Sequence, residues 1–250
     1  MYRFFVQENQ IFSATHKAVV LGEDVNHIKN VLRMKEGEEI SLVVCGDSSE
    51  YRCIIKGLSE DSVDCEIIFV KENDVELPSF ITLYQALPKS DKMELIIQKA
   101  VELGASRIVP VASKRSIVKI TSSKEDKKIA RWTGISEAAA KQSKRAIVPE
   151  IAPVMTFAEA VNDAQKSDVK IIPYELCDSS EMDKTRAIID AIKPGESVAI
   201  FVGPEGGFCE EEIDAAREAG IAPITLGRRI LRTETAGFTV LSWLVLKLES

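Results

Sequence analysis

The sequence predicts two parts: a small β-rich domain, then an α/β domain whose sheet is mostly parallel. Short apolar or alternating runs separated by glycines fill the first seventy residues. After a polar stretch at residues 73–79, strand-like runs alternate with helix-like spacing, which is typical of a parallel sheet with helices on both faces. The 250 residues allow one large or two small domains, and a 45% hydrophobic composition excludes disordered and low-complexity classes.

The first domain is predicted over residues 1–72 as a small barrel, since a barrel buries short strands without leaving exposed edges. One helical turn is expected between Asp24 and Arg33. The predicted strands are Arg3–Val6, Ile40–Val44, Tyr51–Ile55 and Val63–Val70.

The second domain is predicted over residues 80–250, after a linker at 73–79. Apolar residues at i, i+3, i+4, i+7 and i+8 from Met93 indicate an amphipathic helix. Asp91 with Glu94 resembles a capping box, and Gly104 stands where such a helix would end. The predicted strands are Phe80–Leu87, Ile108–Val111, Val169–Pro173, Ser197–Val202 and Ile224–Leu226. The further predicted helices are Glu125–Arg145, Asp183–Ile192, Glu210–Ala219 and Ala236–Leu248.

Several classes of location and site are disfavoured. No apolar run approaches the roughly eighteen residues of a membrane-spanning helix, and the first residues lack the features of a secretory signal. We therefore expect a cytoplasmic protein with no membrane partner. Five cysteines without a C-x-x-C spacing, and two histidines, argue against a disulfide framework and a metal site. We expect no metal, and cysteines that are reduced and mostly buried.

Charge is distributed unevenly along the chain. The formal net charge is −7, but residues 85–150 carry +7 between the acidic residues 1–75 (−6) and 151–250 (−7). A basic middle can face a polyanion even in an acidic protein. A solvated helical face is the alternative.

A glycine-rich turn, Val202–Phe208, joins a predicted buried strand to a predicted helix. Open α/β sheets bind ligands at the carboxyl ends of strands, and glycines let the backbone approach a ligand closely. A phosphate site needs an unopposed helix N-terminus and usually a lysine, whereas Glu205 precedes this helix and three glutamates, Glu210–Glu212, form its first turn. The turn therefore favours a neutral or cationic ligand. A tight turn before a well-capped helix is the alternative.

An arginine-rich loop, Leu226–Ala236, again lies between a predicted strand and a predicted helix. Arginine and hydroxyl side chains orient RNA phosphate or a carbonyl-rich base. The alternative is that Thr233 or Thr235 caps the last helix while the arginines are solvated.

Together, FVGPEGGF and LGRRILRTETA closely resemble the bacterial family that methylates N3 of a uridine in 16S ribosomal RNA. That family belongs to the SPOUT superfamily of S-adenosylmethionine-dependent methyltransferases, which have a trefoil knot. The resemblance covers nearly the whole chain, with one departure: Lys141 stands where the family usually has an acid. Further signatures are Arg3–Phe5, His27–Ile28, Val31–Arg33, Lys89–Glu94, Ile97–Lys99, Glu102–Gly104, Gln142–Arg145 and Val148–Pro149.

The resemblance implies a PUA-like RNA-binding barrel over 1–72 and a knotted methyltransferase domain over 80–250. It also implies a homodimer through the knot domain, with 16S rRNA or the small ribosomal subunit as partner. The apolar residues of the last predicted helix would then form either an interface or ordinary core. They are Val240, Leu241, Leu244 and Val245.

The implied cofactor is S-adenosylmethionine, bound in a bent shape between three loops: one after Tyr174, the glycine-rich turn and the arginine-rich loop. Its adenine would lie against the backbone of Leu226, Ile230 and Leu231. The expected donor-binding residues are Val202, Gly203, Pro204, Glu205, Gly206, Leu226, Gly227, Ile230, Leu231, Thr235 and Ala236.

For catalysis, the uracil N3 must lose its proton, and charge then develops on the ring's carbonyl oxygens. Arg232 is expected to donate to those oxygens or to orient phosphate, and Glu205 and Glu234 are candidate bases. The expected RNA contacts are Arg3, His27, Arg33, Lys89, Lys92, Arg115, Lys141, Lys144 and Arg145. For each of these contacts, a solvated or structurally paired side chain is the alternative.

Two other functions stay open at this stage. A methyltransferase of the same superfamily could act on another base or on a ribose 2′-hydroxyl, because a donor site says little about the acceptor. A non-catalytic RNA-binding factor of ribosome assembly, with a vestigial donor pocket, is the second.

Overall fold

The computed structural model describes residues 1–47, 49–72, 74–117, 122–175 and 181–249. The chain forms two compact units. The first comprises Met1–Glu76 and Ala140–Val148, and the second comprises Leu77–Ala139 and Pro149–Ser250. A short segment from the middle of the chain is thus part of the N-terminal unit. The predicted domains, residues 1–72 and 80–250, were each continuous and did not include this exchange.

The first unit contains a six-stranded sheet in the order β1-β4-β5-β6-β3-β2. The β1–β4 pair is parallel and the other pairs are antiparallel. A short helix, α1 (Glu23–Asn26), and a following π-helical turn occupy the predicted helical turn. The strands are β1 (Tyr2–Val6), β2 (Ile11–Phe12), β3 (Lys17–Leu21), β4 (Glu39–Val44), β5 (Ser49–Leu58) and β6 (Ser62–Glu72).

The core of this unit is formed by alternate residues of these strands, among them Phe4, Val20, Leu42 and Ile55. Since every second side chain of a half-buried strand faces the core, alternation made β1, β4, β5 and β6 predictable. The prediction omitted β2 and β3. Strand β2 has two residues, and β3 buries only Ala18 and Val20, so neither gives a strong periodic signal.

The second unit contains a sheet in which every pair of strands is parallel. Its order is β10-β8-β7-β12-β11-β13, with β9 paired to β8. The strands are β7 (Ile81–Ala86), β8 (Arg107–Ala112), β9 (Glu150–Ile151), β10 (Met155–Thr156), β11 (Val169–Pro173), β12 (Val198–Val202) and β13 (Ala222–Ile224). The central strands β7 and β12 are buried along their whole length, which explains why β12 is entirely apolar and why β7 is largely so, with Thr82 and Gln85 as buried polar residues.

Helices cover both faces of this sheet, as predicted. On one face, α4 and α6 pack through Phe157 and Ile213 onto a cluster that contains Tyr84 and Phe201. On the other, α7 contacts β12, α2 and α5. The helices are α2 (Lys92–Glu102), α3 (Ser122–Gln142), α4 (Phe157–Asp163), α5 (Met182–Ala191), α6 (Glu210–Glu218) and α7 (Thr233–Leu248). A trefoil knot in this unit stays a prediction from the resemblance.

Three local predictions need correction. The Asp91 side chain makes no capping hydrogen bond, and Glu94 instead pairs with Arg131 at 2.8 Å, so there is no capping box at α2. Helix α3 ends at Gln142 rather than Arg145, since Lys144 adopts a positive φ of 62° that cannot continue a helix. Strand β13 lies two residues earlier than predicted.

Val245 on α7 is half-buried, whereas the second unit buries the other three apolar residues predicted on this helix, Val240, Leu241 and Leu244. These three residues therefore belong to its core. The described residues contain no helix that is long and apolar enough to cross a membrane. Of the cysteines, Cys53, Cys65 and Cys209 are buried and Cys45 is exposed, all as free thiols, while Cys177 lies outside the described residues.

Candidate active site

A cleft of about 400 Å³ opens beyond the carboxyl ends of β11, β12 and β13. This is the edge at which parallel sheets bind their ligands, and the volume suits a cofactor-sized molecule. The glycine-rich turn and the arginine-rich loop form most of the wall, and Pro173, Tyr174 and Glu175 contribute a third side. Residues 176–180, the rest of the predicted third loop, lie outside the described residues.

The glycine-rich turn is folded tightly on itself. A Cβ atom on Gly203 would lie 3.2 Å from the backbone of Gly207 and Phe208, closer than such atoms normally approach. Gly207 has a φ of +66°, which favours glycine. The backbone path therefore requires glycine at these two positions.

Thr233 joins the two loops. Its hydroxyl donates to the carbonyl oxygen of Gly203 at 2.6 Å and accepts from Nε2 of the buried Gln85 at 2.9 Å. Thr233 is the first residue of α7, and the residue before it, Arg232, makes no side-chain cap. The expected alternative, a threonine that caps the last helix, is therefore wrong for Thr233. Its hydroxyl instead links the two loops that form the cleft.

Nine of the eleven predicted donor-binding residues line the cleft, which supports the pairing of the two loops. Gly206 and Thr235 do not line it. The Gly206 carbonyl accepts from Arg115 at 2.8 Å, and the Thr235 carbonyl accepts from the Thr239 hydroxyl. The nine are Val202, Gly203, Pro204, Glu205, Leu226, Gly227, Ile230, Leu231 and Ala236.

A lysine lies between the two candidate bases. Lys92 Nζ is 3.1 Å from Oε1 of Glu205 and 3.3 Å from Oε2 of Glu234. Glu205 also accepts from the backbone N–H of Lys89 at 3.1 Å. Lys92 itself lines the cleft, and its expected contact with RNA stays a prediction.

These contacts favour the charged forms of Lys92 and Glu205. Hydrogen bonding to Glu205 raises the pKa of Lys92, and its ion pair with Glu234 adds to the effect. Partial burial alone would raise the pKa of Glu205, but hydrogen bonds from backbone N–H groups and from Lys92 outweigh burial, so its pKa is lowered. Glu205 is therefore a poorer proton acceptor than an ordinary glutamate.

The N-terminus of α6 is satisfied by the protein's own carboxylate. Glu212 is buried and accepts from the backbone N–H groups of Cys209 at 3.0 Å and Lys114 at 2.8 Å. Glu211 lies 3.7 Å from Lys114 Nζ. An anion at this helix end would have to displace these groups, which agrees with the expectation that the turn does not bind polyphosphate.

The arginine-rich loop is the exposed, positively charged wall. Arg228, Arg229 and Arg232 line the cleft and are exposed, and the Ile230 side chain is 83% exposed. No group among the described residues makes a hydrogen bond or ion pair with the Arg232 guanidinium. It is therefore available to a second molecule.

Comparison with known proteins assigns different family models to the C-terminal and N-terminal parts of the chain. Residues 75–245 match a family model described as an RNA methyltransferase domain, and residues 20–68 match an RNA methyltransferase PUA domain. The ribosomal RNA small subunit methyltransferase E of Bacillus subtilis is 39% identical over 97% of this chain and 95% of its own length. The protein of that name from Mesomycoplasma hyopneumoniae is 33% identical over 97% of this chain and 98% of its own length.

The chain belongs to the family of ribosomal RNA small subunit methyltransferase E.

A solved structure extends this result to the fold. The family member from Neisseria gonorrhoeae, determined bound to S-adenosyl methionine, superposes with a TM-score of 0.83 at 34% identity, covering 97% of this chain and 95% of that one. The predicted family, the mostly parallel sheet and the PUA-like first domain are therefore confirmed.

Two of the residues expected to contact RNA, Arg3 and Arg145, have side chains that are almost completely covered. The Arg3 guanidinium pairs with Glu50 and donates to the backbone carbonyls of Lys144 and Arg145. The Arg145 side chain is 4% exposed and pairs with Glu76, Nη2 to Oε2 at 2.6 Å. Both guanidinium groups hold the first unit together, so the expected alternative of structural pairing describes them.

The other expected RNA contacts differ in their surroundings. His27, Arg33 and Lys144 are exposed in the first unit, with the His27 ring edge-on to Phe4. Lys141 pairs with Asp24 at 3.1 Å. In the second unit, Lys89 is exposed, whereas Arg115 donates to the Gly206 carbonyl and so supports the glycine-rich turn. Direct RNA contact by any of them stays a prediction.

Several cleft residues were not predicted from the sequence. Thr225, Thr233 and Phe208 line the cleft, and so do Gly207 and Lys92. Gly207, Phe208 and Thr233 lie inside the two motifs, so their proximity in sequence was an available signal. Lys92 begins a different helix, and nothing in its local pattern connects it with Glu205 or Glu234.

Proposed function

We propose that this protein transfers a methyl group from S-adenosylmethionine to N3 of a uridine in the 16S rRNA of the small ribosomal subunit. The single observation that carries the proposal is the Thr233–Gly203 hydrogen bond, which unites the two family motifs in one cleft. The Neisseria relative, with the same fold, is a ribosomal RNA small subunit methyltransferase bound to this donor.

The residues of the cleft fit this donor. S-adenosylmethionine supplies a methyl group on a positively charged sulfur, which becomes neutral once the methyl has left. Glu205 offers that charge a carboxylate whose lowered pKa keeps it ionised, and the tight Gly203–Gly207 turn lets backbone groups approach a ligand. We assign the backbone of Leu226, Ile230 and Leu231 to the adenine, because all three line the opposite wall.

Arg232 is assigned to the acceptor base. When N3 of uracil gives up its proton, negative charge spreads to the adjacent carbonyl oxygens, and a fixed hydrogen-bond donor stabilises that charge. The exposed Arg232 guanidinium lines the cleft and is bound by no other described group. A guanidinium remains protonated, so Arg232 donates and does not accept the proton.

Of the two candidate bases, Glu234 is the better one. Glu205 accepts from both the Lys89 backbone and Lys92, and its pKa is lowered, which weakens it as a proton acceptor. Glu234 lies in the first turn of α7, two residues after Arg232, and 3.3 Å from the same lysine. We therefore assign the proton acceptor to Glu234 and electrostatic stabilisation of the donor to Glu205.

The first unit is assigned to RNA. This PUA-like unit exposes His27, Arg33 and Lys144 outside its strands, and the arginine and lysine contribute the phosphate attraction that dominates RNA affinity. A homodimer through the second unit stays part of this proposal. Its interface cannot consist of Val240, Leu241 and Leu244, which the core of the unit already uses.

The test is transfer from radiolabelled S-adenosylmethionine to small ribosomal subunits, and separately to free 16S rRNA, from a strain that lacks the corresponding enzyme. Digestion to nucleosides and mass spectrometry then locate the methyl group. Methylation of uridine at N3 is the expected result. Label on another base, or on a ribose 2′-oxygen, would show that the acceptor is misassigned. Donor binding without transfer to either substrate would favour the non-catalytic assembly factor.

A further inference from the structure

Three charged groups meet beside the cleft, where Lys92 and Glu205 line its wall and Glu234 contacts Lys92 without lining the wall itself. Lys92 Nζ lies 3.1 Å from a Glu205 oxygen and 3.3 Å from a Glu234 oxygen. The Glu234 oxygen is inaccessible to solvent, and the side chains of Lys92 and Glu205 are only 29% and 26% exposed. Two carboxylates and one ammonium give this cluster a net charge of −1.

We propose that Lys92 sets the charge of this cluster and thereby determines how strongly the cleft prefers the cationic sulfonium donor over its neutral thioether product. The inference rests on the proposed function, because it concerns the same ligand. Lys92 acts here as a positioning residue: it binds the two glutamates and transfers nothing itself.

The charges on the other walls of the cleft indicate that this cluster determines the preference for the sulfonium. The arginine-rich loop contributes three cationic side chains, Arg228, Arg229 and Arg232, so a sulfonium is repelled from that wall. The Glu175 side chain lies on the third wall and is exposed, where solvent weakens its attraction. Glu205 and Glu234 are the less exposed carboxylates, and a charge of −1 complements one sulfonium.

The donor and its product differ in a way that isolates this effect. S-adenosylmethionine and S-adenosylhomocysteine share the adenosine, the amino group and the carboxylate, and they differ by the methyl group and the positive charge on sulfur. The ratio of their dissociation constants therefore reports the environment of the sulfur, whereas a general distortion of the cleft weakens both ligands together. A cluster of −1 holds the donor and lets the neutral product leave.

Changing the cluster charge should move this ratio in opposite directions. Lys92→Met leaves a cluster of −2 and should increase the preference for S-adenosylmethionine about tenfold. Glu234→Gln gives a neutral cluster and should decrease the preference about tenfold. The double variant Lys92→Met/Glu234→Gln returns the cluster to −1, so its preference should lie near that of the unsubstituted protein, although two side chains have changed.

The measurement is isothermal titration calorimetry of the full chain with each ligand at pH 8, without RNA. Lys99→Met is the matched control, since Lys99 pairs with Glu102 at 2.8 Å on the same helix and does not line the cleft. It should leave the ratio unchanged. Circular dichroism melts confirm that each variant is folded.

The outcomes separate this inference from the proposed function. If the unsubstituted protein binds neither ligand, the proposed donor is wrong. If it binds both, and Lys92→Met lowers the preference or leaves it unchanged, the role of Lys92 is refuted. Should Lys92→Met fail to fold, Glu234→Gln decides alone: an unchanged ratio would overturn the inference, and a reduced ratio would uphold it.

Discussion

The hydroxyl of Thr233 lies 2.6 Å from the carbonyl oxygen of Gly203 and 2.9 Å from Nε2 of Gln85. One side chain thus connects the start of α7, the glycine-rich turn after β12 and the end of β7. Thr233 and Gln85 are buried, so a partner left unpaired there would keep its desolvation cost. The hydroxyl therefore controls whether the two motif loops remain together.

Thr233→Val removes this hydroxyl at nearly constant volume. We expect the free energy of unfolding to fall by about 1–3 kcal/mol, and the affinity for S-adenosylmethionine to fall because the cleft walls separate. Calorimetry and urea denaturation measure the two quantities. Thr239→Val is the control, because the Thr239 hydroxyl bonds only within α7, to the Thr235 carbonyl. Equal effects of the two substitutions would refute the role of Thr233.

The glycine-rich turn leaves no space for a side chain at Gly203. A Cβ there would lie 3.2 Å from backbone atoms of Gly207 and Phe208, which cannot move without opening the turn. Gly203→Ala should therefore destabilise the protein by about 1–3 kcal/mol and weaken donor binding.

Gly134→Ala provides the contrast. Gly134 lies in α3, where an added methyl group would meet no heavy atom within 4 Å, and its φ is not positive. This substitution should stabilise the protein by about 0.5–1 kcal/mol. Thermal unfolding of both variants measures the difference, and a Gly203→Ala protein as stable and as tight-binding as the unsubstituted one would contradict this account of the turn.

Much of the fold was predictable because a strand that is buried throughout consists mostly of apolar residues. Strands β7 and β12 are examples. The short strands β9 and β10 have two residues each, too few to produce a period. The segment Ala140–Val148 is a different case. Its place in the first unit depends on pairing over long sequence distances, Arg145 with Glu76 and Lys141 with Asp24, and a local pattern cannot reveal such partners.

The candidate site was likewise predictable from the sequence only in part. The two motif loops were predictable because each follows a strand and carries residues with a chemical preference. The role of Lys92 was not, since its contact with Glu205 and Glu234 arises only when α2 and α7 pack together. Arg3 and Arg145 show the converse: positive charge alone indicated RNA, whereas Glu50 and Glu76 engage them inside the protein.

Substitutions at Arg145 and Lys144 should therefore separate an effect on stability from an effect on RNA binding. Arg145→Met leaves the partly buried Glu76 carboxylate without its cation and should lower the free energy of unfolding by about 3 kcal/mol. Lys144 is exposed, and only its backbone carbonyl bonds to Arg3, so Lys144→Met should leave stability within about 0.5 kcal/mol of the original value.

If Lys144 contacts a phosphate, Lys144→Met should also weaken binding to an rRNA fragment and reduce the slope of log affinity against log salt by about one. Filter binding over a range of salt concentrations measures this slope. An unchanged slope would remove Lys144 from the proposed RNA surface, whatever the stability shows.

Arg232 should affect the reaction more than donor binding. Its exposed guanidinium is assigned to the acceptor, so Arg232→Ala should lower the rate of methyl transfer about 100-fold while changing S-adenosylmethionine affinity by less than about threefold. Single-turnover transfer and calorimetry are the measurements. Arg217→Ala, on the far end of α6 beside Asp214, is the control and should change neither. A comparable collapse of rate and affinity in Arg232→Ala would show that Arg232 belongs to the donor site.

A partly buried polar cluster makes the stability of the second unit depend on pH. Asp163, the last residue of α4, accepts from Tyr84 Oη at 2.8 Å and from Arg107 Nη1 at 2.5 Å. Burial by itself would raise the pKa of Asp163, but the hydrogen bonds from Arg107 and Tyr84 outweigh it, so the pKa is lowered in the folded protein. A lowered folded-state pKa contributes stability above the unfolded value of about 3.9, and that contribution is lost as pH falls through the folded-state pKa.

Asp163→Asn should accordingly reduce the free energy of unfolding by about 2 kcal/mol at pH 7, and the difference from the unsubstituted protein should shrink below about pH 4. Urea denaturation followed by tryptophan fluorescence is suitable, because both tryptophans, Trp132 and Trp243, lie in the second unit. Asp214→Asn is the control, since Asp214 forms an exposed pair with Arg217 and such pairs contribute little. A difference for Asp163→Asn that stays constant from pH 7 to pH 3 would mean that the Asp163 charge does not stabilise the unit.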